Sequence, residues 1–397
     1  MSYLAYLLFR LCTFPLAYMP YTWIHALGNK LGLLVYYLYP RYRKRSLSNL
    51  ALATSLHLSP PQIKDLAKRS LQSLMITFLE YPKLAHEKNI SLIASCENPA
   101  VAQELLKSGQ GVIFFCGHQA NWELFFLEGT THMAGVAIGR PIKNTFLYNW
   151  ILKLREKYGG KIVSPKNALK EGLRALRAPT FFGIVGDQGM PNSNYSSLFL
   201  GRKAWTSPLP ALLSLRTGRP ILVATNKREG GKYLIHYSDP IWPHEASTVE
   251  SLMEEVLSIF EKTIEANPSQ WLWIHNRWKQ SLPSTLPKRL RQECIALIFP
   301  CITLAEETLV SFKKIYPLEF LTAFIPDGSN ISYLPEGIEY KLYKTLSDIL
   351  ITDYSFKLIY DFTHNPLIKK HFLALSAFHV ETPTSAQDII QLESHAR

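Results

Sequence analysis

The stretch Gly111-Val112-Ile113-Phe114-Phe115-Cys116, running straight into Gly117-His118-Gln119-Ala120-Asn121-Trp122-Glu123, decides how this chain is read. The first run is continuously apolar, β-rich and too short for a typical helix, so it predicts a strand covered on both faces. His118 then stands at the strand's carboxyl end. A helix from Asn121 to Glu128 follows, capped by Asn121, with Glu123 in its first turn and Leu124, Phe125 and Leu127 as apolar surface. Were the whole stretch helical, five steps of about 100° would turn Glu123 roughly 140° away from His118. The two side chains meet only if His118 precedes the helix. A carboxylate on one imidazole nitrogen fixes the tautomer and leaves the other free to take a proton from a hydroxyl. His118 is therefore the candidate general base and Glu123 its candidate orienting group. A loop histidine bonded to a backbone carbonyl fits the same spacing.

Beyond this stretch, helices and strands alternate. Helical periodicity runs over 61–80 through Ile63, Leu66, Leu71, Leu74 and Phe78, and shorter helices are expected at 100–107, 144–158 and 166–177. A second strand, Thr180 to Val185, ends in Gly186-Asp187-Gln188. Functional loops of open α/β sheets lie outside the strand carboxyl ends, so the His118 and Asp187 loops are candidates for one crevice. Strands at 221–225 and 233–237 flank the turn Glu229-Gly230-Gly231, and a long helix over 248–266 closes the region.

Composition bounds the reading. The 397 residues suffice for one large domain of roughly 250 residues plus flanking pieces, and 47% apolar content fills a core. Forty-three Lys and Arg against 31 Asp and Glu, a net charge of +12, favour an anionic partner. Nucleic acid, phospholipid head groups and phosphorylated sugars all qualify on charge. The five cysteines are scattered, with no C-x-x-C pair, so neither a disulfide framework nor a zinc site is expected.

The amino terminus narrows the partner. Residues 3–39 are dominated by Leu, Tyr, Phe, Trp and Ala, with only Arg10 and Lys30 charged. Pro15, Pro20 and His25 help break the run, so an interfacial or re-entrant hairpin fits as well as a single span. Arg41, Arg43, Lys44 and Arg45 follow at once, a basic cluster suited to anionic lipid on a cytoplasmic face. No nucleic-acid module is visible, so a membrane partner is expected and nucleic acid is not.

In order along the chain stand Gly117 to Glu123, Arg140-Pro141 with Lys143-Asn144, Asp187-Gln188, Phe199-Leu200-Gly201 with Ala204 and Thr206, and Gln270 to Lys279. Together, over about residues 5–282, they resemble the bacterial lipid A biosynthesis lauroyl/myristoyl acyltransferases. The resemblance implies an α/β fold, a glycerolipid-acyltransferase-type mixed sheet flanked by helices, with an N-terminal membrane-associating helical segment and a small C-terminal α/β extension. It implies attachment to the bacterial inner membrane with the catalytic domain facing the cytoplasm. It also implies acyl carrier protein as donor and, as acceptor, a hydroxyl of a Kdo-bearing lipid A precursor, an anionic glycolipid. Neither a covalent acyl-enzyme nor a cofactor or metal is expected. One departure is Leu209, where the family usually carries glycine, which bears on local loop shape.

On this reading His118 deprotonates the acceptor and Glu123 orients His118, with oxyanion donors among backbone N–H groups near Asn121 or a basic side chain. Arg140, Lys143 and Arg155 are candidates for phosphate or sugar carboxylate, Asp187 and Gln188 for sugar or for positioning Arg155, and Arg277 for an anion or for stacking on Trp273 or Trp278. Three divisions follow: a membrane segment over 1–45, an acyltransferase domain over 46–282 and an extension over 283–397. The extension opens with Pro283, Pro287 and Lys288-Arg289-Leu290-Arg291. Its run Asp348 to Ser355 reads as a strand and faintly resembles the nucleotide-binding half of glycosyl- and glycerophosphotransferases, with a packing role expected for the module. Two other functions remain open: acyl-CoA-dependent acylation of a lyso-phospholipid or glycolipid, and non-catalytic lipid binding.

Overall fold

The computed structural model describes residues 2–283, 285–330 and 334–396. The chain gathers into two compact units, each discontinuous in sequence. The first comprises residues 1–38, 68–188 and 195–272, the second 39–67, 189–194 and 273–397.

The first unit is built on strands β1 (Ala94–Cys96), β2 (Val112–Cys116), β3 (Gly135–Ile138), β4 (Lys161–Val163), β5 (Phe181–Val185), β8 (Ile221–Glu229) and β9 (Lys232–Tyr237), while β6 (Ser196–Phe199) and β7 (Arg202–Trp205) form a separate antiparallel pair. The sheet order is β1-β9-β8-β2-β5-β3-β4; β8 and β9 pair antiparallel and every other neighbour is parallel. All five residues of β2 are buried, as its unbroken apolar run predicts. Phe114 and Cys116 face Phe126 of helix Glu123–His132 and Ala102 of helix Ala100–Lys107, whereas Phe115 packs edge-on against Phe260 of helix Val249–Ala266. Each such large side chain contributes about 1.5–3 kcal/mol by leaving water. Thr248 caps helix Val249–Ala266 by accepting from Ser251 N–H, and Gly230 and Gly231 take positive φ in the tight β8–β9 turn.

Helices Ser2–Thr13 and Tyr21–Leu38 open the chain. Gly28 and Gly32 let the second lie directly on helix Pro60–His86: a Cβ at Gly32 would fall 2.3 Å from Gln72 Cα. The outer faces leave Leu4, Leu8, Leu11, Trp23, Tyr37 and Leu38 exposed. No helix among the described residues is long and apolar enough to cross a membrane.

The second unit carries five parallel strands, β10 (Cys294–Ile298), β11 (Phe320–Pro326), β12 (Glu339–Tyr343), β13 (Leu358–Asp361) and β14 (His379–Glu381), in the order β12-β11-β10-β13-β14. The expected strand at 348–355 is corrected here. Thr345 and Asp348 form a reciprocal cap that opens a helical turn, Leu346–Ile349, and the strand starts only at Leu358. Lys357, fully buried, pairs with Glu293 and donates to Asn49 Oδ1 (3.1 Å) and Asn276 Oδ1 (3.3 Å). Asn49 in turn donates to the carbonyls of Trp273 and His275. This knot ties helix Pro40–Leu52 and the Trp273–Trp278 block into the second unit, well before residue 283. Half of the basic cluster turns inward with it: Lys44 donates to Ala377 O (2.6 Å), and burial lowers the pKa of both Lys44 and Arg45.

Burial also pushes the Glu319 carboxyl up to about 7 from its usual 4.5, with Glu293 adding to the shift. The folded pKa is raised, so protonated Glu319 favours the fold fully below pH 4.5, and that contribution is lost as pH rises through 7. Glu319→Gln is therefore expected to raise the thermal midpoint at pH 8 and to leave it near wild type at pH 4.5. The gap corresponds to about 3 kcal/mol at 1.36 kcal/mol per pKa unit.

Candidate functional site

β2 and β5 are parallel neighbours with Cys116 opposite Val185, and Gly186 N–H donates to Cys116 O (3.0 Å). Continuing that register by two residues brings His118 opposite Asp187. Asp187 Oδ1 lies 2.7 Å from His118 Nδ1, and Asp187 Oδ2 accepts from His118 N–H at 2.8 Å and from Trp271 Nε1 at 2.7 Å. A carboxylate only accepts, so Nδ1 carries the proton and Nε2 holds the free lone pair. Gln188 Nε2 stands 3.4 Å from that nitrogen, and the Trp122 ring meets the imidazole edge-on at 4.9 Å. Burial works to raise the Asp187 pKa, but His118 and the hydrogen bonds outweigh it and hold the carboxyl at about 2.

Two features allow this close approach. A Cβ on Gly117 would sit 2.0 Å from the Phe260 ring and 2.9 Å from Asp187 Oδ2, so only glycine fits between them. Ala120 adopts a φ of 45° and donates its N–H to Gln270 O (2.7 Å), while His118 O accepts from Leu272 N–H (3.1 Å). Residues 270–272 thus clamp the loop as a short antiparallel bridge, with Gln119 opposite Trp271.

Glu123 does not orient His118. It opens helix Glu123–His132, and its carboxylate is taken by Arg155, whose Nε reaches Oε2 at 2.7 Å and Nη2 reaches Oε1 at 2.6 Å. Tyr81 OH donates to the same Oε1 at 2.5 Å. Burial opposes ionisation of Glu123, yet Arg155 and Tyr81 bring its pKa below the usual value. The roles expected of the two acids are exchanged: Asp187 positions His118, and Glu123 positions Arg155. The reason is geometric, because the helix carries Glu123 toward helix Thr145–Arg155, whereas the parallel register delivers Asp187 directly to the imidazole.

Asn121 caps the helix start as expected, its Oδ1 accepting from Glu123 N–H at 3.2 Å. Its Nδ2 at the same time donates to the fully buried Glu80 (2.7 Å), which also accepts from Tyr233 OH (2.7 Å) and contacts His25 Nε2 (2.6 Å). The loop amides are not all available as oxyanion donors, since His118, Gln119, Ala120 and Glu123 N–H are already bonded. Arg140 and Lys143 lie exposed in the loop after β3, on the same carboxyl edge as His118. Arg277 belongs to the second unit and is fully buried there. Leu209 opens helix Leu209–Thr217 and is not among the positive-φ residues, so its backbone does not require glycine.

The sequence pattern of the bacterial lipid A biosynthesis acyltransferases matches residues 1–280. The chain belongs to that family. No curated protein matches the sequence. The acyltransferase therefore carries its family-matching region over the whole first unit and into the second. Trp271 and Tyr81 are site residues that sequence reading did not single out. Trp271 lay within the quoted Gln270–Lys279 block, and Tyr81 had no signal, since its partner is 42 positions away.

Glu123→Gln removes the only charge facing Arg155 in this pair and leaves a mostly buried guanidinium uncompensated. A loss of about 3 kcal/mol in unfolding free energy is expected, measured by denaturant titration. Asp187→Asn keeps a group able to accept from Trp271, so a smaller loss is expected there.

Proposed function

We propose that this acyltransferase moves a fatty acyl chain from acyl carrier protein to a hydroxyl of a Kdo-bearing lipid A precursor, with His118 as general base and Asp187 as the residue that orients it. The observation that carries the proposal is the buried Asp187 bonded to Nδ1, which commits the opposite nitrogen to accepting a proton. His118 Nε2 takes the hydroxyl proton as the oxygen bonds to the thioester carbonyl. When the tetrahedral intermediate collapses, the C–S bond breaks and the imidazolium returns its proton to the departing thiolate. The thiolate is a good leaving group, so no acyl-enzyme is needed.

The surroundings support acyl chemistry. A narrow apolar cleft is lined by Phe114, Cys116, Trp122, Phe125, Phe126 and Phe181 among others. Trp122, which touches the His118 ring, forms part of its wall, so an alkyl chain buried there has its carbonyl end beside the base. The Arg155 guanidinium, fixed by Glu123, keeps Nη1 outside that pair and near Gly139. We assign it, with Arg140 and Lys143, to the anionic groups of the acceptor. The exposed Leu, Tyr and Trp side chains of the first two helices suit immersion in the head-group layer of the inner membrane from the cytoplasmic side.

The test incubates purified protein with acyl carrier proteins of several chain lengths and a tetra-acylated, Kdo-bearing precursor, and weighs the product. One added acyl chain is expected from wild type and none from His118→Ala. Asp187→Asn is expected to lower kcat by about 10²–10⁴-fold. Transfer to lyso-phospholipid alone, or from acyl-CoA alone, would overturn the assignment of acceptor or donor. Undiminished turnover by His118→Ala would overturn the base.

A further inference from the structure

Side chains alternate along a strand, so Phe181, Gly183 and Val185 of β5 share one face, and Asp187, the partner of His118, continues that row. At roughly 3.3 Å per residue, Asp187 stands about 20 Å along the strand direction from Phe181. Phe181, Gly183 and Val185 all line the narrow apolar cleft, under helix Glu123–His132, and Trp122 joins the cleft to the His118 ring. The cleft therefore follows β5 away from the base. Gly183 is its most telling wall. A glycine inside a strand weakens it, and such positions mark places where a ligand approaches the backbone closely. In the parallel register Gly183 stands beside Ala137 of β3, and both are half-buried. Their neighbours in the same row across the sheet are bulky, Phe114 on one side and Ile162 on the other. Two small residues between two large ones leave a trough.

One ring closes the far end of that trough. Phe181 is the cross-strand partner of Gly135, two residues before Ala137 on the same face, and its ring lies across that glycine. A Cβ at Gly135 would fall 2.1 Å from Phe181 Cζ, and a Cβ at Gly129, in the helix above, would stand 3.5 Å from the same atom. The ring thus reaches from β5 over β3 and up to the helix. Phe114 and Phe126 hold it edge-on, with ring centroids 5.4 Å and 5.8 Å away. So packed a side chain has no room to swing aside without moving its neighbours. An alkyl chain that enters beside Trp122 and passes over Gly183 and Ala137 meets this ring with its methyl end.

We propose that the Phe181 ring is the stop that limits acyl-chain length in this enzyme, and that Gly183 and Ala137 form the trough that the chain fills. A chain too long for the trough has to displace a packed ring, and a chain too short leaves apolar volume empty. Discrimination by one methylene in an apolar pocket is worth about 10–200-fold. The stop governs catalysis only if the cleft holds the acyl chain, as proposed above. A length limit on alkyl binding stands without that reading.

The test makes two measurements on the full-length protein: calorimetric binding of saturated fatty acids of graded length, and transfer of the same chains from acyl carrier protein to the tetra-acylated, Kdo-bearing precursor. Phe181→Leu keeps a buried apolar side chain but loses the reach across Gly135. It is expected to move both preferences to longer chains, raising kcat/KM for the longer chain relative to the wild-type optimum about tenfold or more. Gly183→Val fills the trough short of the stop and is expected to move both preferences to shorter chains by a similar factor. Gly183 is not among the positive-φ residues, so its backbone accepts valine, and this arm stands even if Phe181→Leu fails to fold. Shifted binding with no transfer by wild type would sink the acyl-transfer reading and keep the stop. Wild type that binds no fatty acid, or a folded variant whose chain-length preference is unmoved, would overturn the stop.

Discussion

The carboxylate of Asp187 is the constraint around which the first unit is organised. It is ionised and enclosed, and a buried charge is tolerated only when hydrogen bonds replace the water it has lost. Three donors do so: the backbone and ring of His118 and the indole of Trp271. The two donor residues come from different requirements of the fold. His118 arrives through the β2–β5 register, Trp271 through the clamp of residues 270–272, and the approach is possible because Gly117 lacks a side chain. One of these three bonds, that from His118 Nδ1, also fixes the imidazole tautomer, so stability and chemistry make the same demand at this point.

A second ion pair stands a few residues away and serves a different purpose. Glu123 and Arg155 bind through two parallel N–H···O bonds, and Tyr81 adds a third contact to the carboxylate. Glu80 anchors the other side of the same loop through Asn121 and Tyr233, and its contact with His25 extends the network to the second amino-terminal helix. The His118 loop is thus connected by polar bonds to the second amino-terminal helix, one of the two that expose apolar faces. On the proposed reading, this network links the membrane-facing surface to the base.

Much of this was legible in the sequence, and the limits have physical causes. The β2 run, the glycine turn between β8 and β9 and the helix capped by Thr248 were readable because their signals are local. The motif containing His118 was readable too, but its spacing to Glu123 suggested a partner that helix geometry sends elsewhere. The true partner is 69 positions away, and no local pattern encodes a parallel register. The useful clue was that His118 and Asp187 each stand two residues past the end of a buried apolar strand. The second unit hid its extent for a similar reason, since Asn49 and Lys357 are 308 positions apart. The run at 348–355 misled because its β-rich composition carries no record of the Thr345–Asp348 cap that starts a helical turn just before it.

The pairing of His118 with Asp187 is tested most directly by nitrogen NMR of the histidine ring in protein labelled with ¹⁵N at histidine. The account predicts that neutral His118 is protonated at Nδ1, with a strongly deshielded Nδ1 proton. This signal should be lost in Asp187→Asn and retained in Glu123→Gln. Protonation at Nε2 in the wild type, or a signal lost in Glu123→Gln and kept in Asp187→Asn, would contradict it.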